Sequence, residues 1–129
     1  MKKHSSGRWL AALAVLVAVL VSARPALAHH GWGGNEDKSS DLTATVTTPV
    51  SLAGPHATMK VKDAQGQIWD ITLAPANRTE QAGLKNGSLP IGSTVTLHGH
   101  RAKNPKTFEM KTTRLTFNGK LYDVYPGMD

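Results

Sequence analysis

From residue 42 onward, apolar and polar residues alternate at the two-residue period of strands that cover a core on one face only. Leu42, Ala44, Val46, Val50 and Leu52 share one parity and predict a long first strand. Within it Pro49, which has no N–H for a ladder, marks an edge or a bend. Ala53-Gly54-Pro55 predicts a turn, and His56 opens a second strand with Ala57, Met59 and Val61 on one face and Thr58, Lys60 and Lys62 on the other. Ala64-Gln65-Gly66 turns the chain into a third strand, residues 67–73, with Trp69, Ile71 and Leu73 inward. The pattern then changes. Between Pro75 and Leu84 a leading proline, Arg78, Glu80 and Gln81 in the body, and Gly83 at the end are the start and stop signals of one short helix.

A fourth strand, residues 93–101, points Val95 and Leu97 inward, and Ala102 to Lys106 is a polar loop. In the fifth strand Phe108 and Met110 hold one parity and Leu115 and Phe117 the other, so a bulge is expected near Thr112 and Thr113. Asn118-Gly119 predicts a tight hairpin returning through Leu121, Tyr122 and Val124. Three strands in a meander, a helix, then two strands is the order of an OB-type barrel. The expected fold is therefore all-β with one short helix: a five-stranded OB-type barrel (β-β-β-α-β-β) plus a C-terminal hairpin, over residues 41–126. A small sandwich has the same strands but gives no reason for the helix.

The first forty residues follow other rules. Lys2, Lys3 and Arg8 precede an apolar run from Trp9 to Val21, too short for a spanning helix, and Pro25 precedes Ala26 and Ala28. Residues 1–28 read as a signal peptide cleaved after Ala28, implying a periplasmic or secreted protein with no membrane contact after cleavage. A cut after Ala23 would place Arg24 and Pro25 beside the scissile bond, and a retained anchor would leave no free terminus at His29. Residues 29–40 read as a flexible arm whose large apolar residue, Trp32, serves as its anchor. Cleavage also changes the charge. The chain carries +6 in full, but four of its fifteen bases lie before His29 and none of its nine acids do, leaving +2. A basic nucleic-acid footprint is not supported.

There is no cysteine, so neither a disulfide nor a thiolate site is available. Histidine is the conspicuous residue: His29, His30, His56, His98 and His100 all follow the expected cut. An N-terminal His29 would offer its α-amine and ring Nδ1 to one ion, a chelate that an internal histidine cannot make. Copper(II) heads the affinity order for nitrogen sites, ahead of zinc and nickel. His30, or His56 at a loop that frames the usual ligand face of such barrels, would complete the set. His98 and His100 flank Gly99 on one face of the fourth strand, about 7 Å apart, and form a possible secondary metal pair or a simply solvated one. Met59 and Met110 fall on core parity.

Catalytic signals are thin. No serine stands in a nucleophile motif, Asp63, Asp70 and Glu80 have no readable pairing, and Gly31-Trp32-Gly33-Gly34 has no strand ahead of it to make a phosphate loop. An enzyme is the less favoured reading, and a copper-dependent redox enzyme is the version of it to test.

His29-His30-Gly31-Trp32 after the signal, Gly54-Pro55-His56 at the first turn, Leu73-Ala74-Pro75 before the helix and residues 91–99 (Ile-Gly-Ser-Thr-Val-Thr-Leu-His-Gly) carry a resemblance. The chain resembles a family of small exported bacterial proteins that begin His-His-Gly-Trp and carry an Asn-Pro-His turn, with Gly54 here in place of the asparagine. The resemblance implies a periplasmic location and a barrel, and supplies no activity. The expected function is copper buffering or delivery through His29, with the metal ion, and another periplasmic protein in delivery, as partners. The alternative is a metal-independent module whose barrel face grips a small ligand, a glycan or a partner protein.

Overall fold

The structure, a computed structural model, describes residues 32–129. The segment read as a signal peptide, with His29, His30 and Gly31, lies outside the described residues. The elements are β1 (Ser40–Ser51), β2 (His56–Lys62), β3 (Ile68–Pro75), α1 (Ala76–Gln81), β4 (Thr94–Arg101), β5 (Glu109–Phe117) and β6 (Lys120–Asp123). The strands run in the order β3-β2-β1-β4-β5-β6, and β3 also pairs with β5. That last pairing is parallel, Asp70 to Glu109 through Thr72 to Lys111, and it closes a five-stranded OB-like barrel with β6 added outside.

β1 serves two neighbours. Its first half pairs with β4, from Ser40 opposite Gly99 to Thr45 opposite Thr94, and its second half pairs with β2. The β1–β2 register slips by one residue between Val46 and Thr48 and again between Thr48 and Ser51. These bulges bend the strand around the barrel, and Pro49, which donates nothing to a ladder, sits inside the second. Beyond Ser51 the chain leaves the barrel, so Leu52 is half-buried rather than core.

The inward parities pack as expected. Val46, Ala57, Met59, Val61, Ile71, Leu73, Val95, Leu97, Met110 and Leu115 are buried. The fifth-strand bulge is present: His98 pairs with Arg114 but Gly99 with Thr112, which leaves Thr113 as the extra residue. Both threonines are buried, and the Thr113 carbonyl accepts from the amides of Val124 and Tyr125 at 3.0 and 3.1 Å. Asn118 and Gly119 both take positive φ, 50° and 74°, as a two-residue hairpin turn requires.

The helix is shorter than the sequence pattern suggests. Pro75 ends β3 opposite His56 and acts as the N-cap of α1. At the other end Gly83 adopts φ 103°, its amide donates to Glu80 O, and the Leu84 amide donates to Thr79 O, a Schellman closure. Leu84 and Thr79 are thereby buried, with Thr79 Oγ1 donating to Ala74 O at 2.9 Å.

The compact unit that holds the barrel begins at Gly34, earlier than the expected boundary at residue 41. The Glu36 amide donates to Arg101 O at 2.8 Å, the Lys103 amide donates to Gly34 O at 2.9 Å, and Asn35 bridges to Ala102. The arm, expected to be flexible up to Ser40, is therefore paired from Gly34 along the end of β4.

Candidate functional site

The strand period places the rings of His98 and His100 on the outer face of β4, on either side of inward Gly99. The structure surrounds them with oxygen acceptors. His98 Nδ1 lies 2.5 Å from Asp41 Oδ1, and His98 Nε2 lies 3.0 Å from Asp129 Oδ1. His100 Nδ1 lies 2.9 Å from the Glu36 carbonyl oxygen, and its Nε2 lies 2.7 Å from the main-chain oxygen of Asp129. Asp129 also accepts from Ser39 Oγ at 3.0 Å and faces Arg114 Nη2 at 3.5 Å. Hydrogen bonds from His98 and then Ser39 hold its carboxyl below the usual carboxylate range. The pair read as possible secondary metal ligands thus has both nitrogens of each ring directed at protein oxygens.

Asp41 and Asp129 belong to this cluster, and the sequence reading did not include them. Asp41 was accessible in principle, since it is the outward neighbour of Leu42 and pairs with His98 once β1 and β4 are aligned. Asp129 carries no periodic signal.

His56 is exposed at the start of β2, opposite Pro75. The arm joins β1 at its N-terminal end, whereas His56 follows the turn at the C-terminal end of β1. The twelve residues of β1 lie between the two along the chain. Trp32 is half-buried in a turn. Among the described residues, no three His, Asp or Glu side chains are grouped as a metal site.

Two further features lie on the barrel. A shallow cavity of about 340 Å³ runs across β1, β2, β3 and β5, lined by Thr48, Thr58, Thr72, Glu109 and the Lys60–Asp70 ion pair, whose atoms are 2.8 Å apart. At the rim beside the loop between β4 and β5, the Arg101 guanidinium lies 4.8 Å over the Trp69 ring, and Phe108 meets that ring edge-on at 5.3 Å. Trp69 Nε1 donates to Asp63 Oδ2 at 3.0 Å. That bond first, then the Gln67 amide, lowers the carboxyl of Asp63.

Comparison with curated proteins returns no match. Among solved structures, the chain is similar to the crystal structure of the ZRD-deleted mutant of TiaS in complex with agmatine, at 14% identity and a TM-score of 0.48. That alignment covers 67% of this chain and 26% of the other, so the chain spans about a quarter of that protein's length. A family of unknown function, DUF6152, matches residues 16–111, a stretch that includes all five histidines from His29 to His100. That match covers most of the chain, and the chain belongs to the DUF6152 family.

Proposed function

We propose that this protein is an exported copper-binding module that uses a mature N-terminal His29 for copper buffering or delivery. The observation that carries the reading is the placement of His29-His30 directly after Ala26-Leu27-Ala28 behind a basic and apolar leader. Cleavage there gives His29 a free amine beside its ring nitrogen, and copper(II) competes best for such donors at neutral pH by displacing the amine proton. His30 completes the set through its ring or amide, and the exposed ring of His56 is the candidate on the barrel. No turnover is involved.

Calorimetric titration of copper(II) into the protein that begins at His29 and into a version with one alanine added ahead of it tests this. Blocking the amine weakens binding by about 100-fold or more, about 2.8 kcal/mol. Equal affinity for the two forms refutes it.

A second reading has its own observation. The cavity lined by Thr48, Thr58, Thr72, Glu109 and the Lys60–Asp70 pair presents hydroxyls, one positive charge and two negative ones, which suits a small polar ligand or glycan bound without metal. Ligand binding that survives both His29→Ala and His56→Ala, and is lost on Lys60→Ala, distinguishes it.

A further inference from the structure

Another cavity, of about 350 Å³, lies between α1 and the segment that follows β6. Arg78, Gln81 and Ala82 line it on one side, and Asp123, Val124 and Pro126 on the other. It shares no residue with the threonine-lined cavity or with the histidine pair. Two opposite charges face it without meeting: among the described residues, no ion pair includes Arg78 or Asp123. The Arg78 guanidinium lies 5.8 Å over the Tyr125 ring, so its fork of N–H donors is committed to no carboxylate. Asp123 Oδ1 accepts from the Tyr125 amide at 3.1 Å, which leaves its other oxygen open. Arg114 stands opposite Asp123 in the β5–β6 register, but its guanidinium donates to Met128 O at 3.3 Å and faces Asp129 at 3.5 Å.

A ligand of one sign would be drawn to one wall and repelled by the other. A molecule with one group of each sign satisfies both: a carboxylate takes paired donors from a guanidinium, and an ammonium donates to a carboxylate. The volume sits at the lower end of the range for small-molecule sites, about 300–1,000 Å³, and Ala82, Val124 and Pro126 supply an apolar part of the lining. We infer that this cavity binds a small zwitterion, a free aliphatic α-amino acid, with its carboxylate on Arg78 and its ammonium on Asp123. The Gln81 amide adds a donor and an acceptor at the same wall. Both walls are fixed before any ligand arrives, which lowers the cost of ordering them. α1 ends in the Gly83 closure, where the Tyr122 ring of β6 lies 3.5 Å from the position a Cβ would take. The opposite wall is tied to β5 through the Val124 and Tyr125 amides on Thr113 O. None of this depends on copper or on His29.

Titration of the intact protein with L-leucine, followed by amide shifts in nuclear magnetic resonance spectra with a chelator present, tests the site. The amides of Gln81, Ala82, Val124 and Tyr125 are expected to move together, while those of Val61 and Val95 in the barrel stay still. Two analogues each remove one charge: isoamylamine lacks the carboxylate and isocaproic acid lacks the amine. Each should bind about tenfold or more weakly than leucine, as befits the loss of one charge-assisted contact. In Arg78→Gln, leucine should bind no better than isoamylamine does to the native protein. In Asp123→Asn, which keeps an oxygen for the Tyr125 amide, it should bind no better than isocaproic acid does. Absence of shifts at the four amides overturns the inference, and so does equal binding of leucine and either analogue by the native protein, a result that needs no variant. Leucine binding that is unchanged in both variants overturns it as well.

Discussion

Gly99→Ala probes the geometry that sets His98 and His100 side by side. A Cβ on Gly99 would run into the Lys111 carbonyl oxygen, with Thr112 Cα at 2.8 Å and the Lys111 carbonyl carbon at 2.9 Å. All three atoms are backbone, so no side chain can swing away. β5 would have to retreat from β4 where the bulge at Thr113 already interrupts the ladder. Overpacking a core costs about 1–3 kcal/mol, and losing one ladder hydrogen bond adds about 1 kcal/mol. The resulting loss, about 2–4 kcal/mol, is a large fraction of the roughly 5–15 kcal/mol that stabilises a small domain. At about 4–8 °C per kcal/mol for a domain of this size, the midpoint of thermal unfolding falls by about 8–32 °C. Urea unfolding followed by tryptophan fluorescence and by far-ultraviolet circular dichroism measures the loss. Gly119→Ala is the contrast: its Cβ would meet nothing within 4 Å, but its φ of 74° makes alanine cost about 1 kcal/mol through the backbone alone. A Gly99→Ala protein within about 0.5 kcal/mol of native would refute the steric reasoning, since that is the scatter of ordinary surface substitutions.

Other outcomes follow from the same structure. Asp63 accepts from Trp69 Nε1 and from the amides of Gln65 and Gln67, and its carboxyl is lowered from an ordinary value of 3.8. Its contribution to stability is therefore full above that value and is lost as pH falls through the lower folded-state value, so Asp63→Asn flattens the acid limb of a stability profile measured by urea unfolding. Gly83→Ala forces alanine into φ 103° and sets its Cβ 3.5 Å from the Tyr122 ring, and unfolding should show a loss of about 1–2 kcal/mol. Lys60→Ala removes an ion pair whose side chains are 52% and 59% exposed, so stability changes by no more than about 1 kcal/mol, and a larger loss would mean the pair does more than line the cavity.

The barrel was legible because its strands each cover the core with one face. Two-residue parity located the inward residues of all five strands, and the parity switch across Thr112 and Thr113 announced the bulge that Gly99 and Thr113 form. Phe108 shows the limit of parity: it matches Met110 but lies ahead of β5, 38% exposed, at the rim against Trp69. The pairing of Gly34–Glu36 was not legible, because it is made by Gly34 O and Glu36 N and leaves no side-chain pattern. The histidine pair could be placed on one face from spacing alone. Two of its three acceptor residues could not, since Glu36 contributes a backbone carbonyl and Asp129 comes from a segment without periodicity.

The copper reading stands or falls on the mature terminus. The intact mass of the exported protein, measured without and with copper(II), reports both cleavage and stoichiometry. The prediction is a chain beginning at His29 that gains the mass of one copper ion. A chain beginning at His29 that gains none, or a longer chain that binds copper equally well, would contradict it.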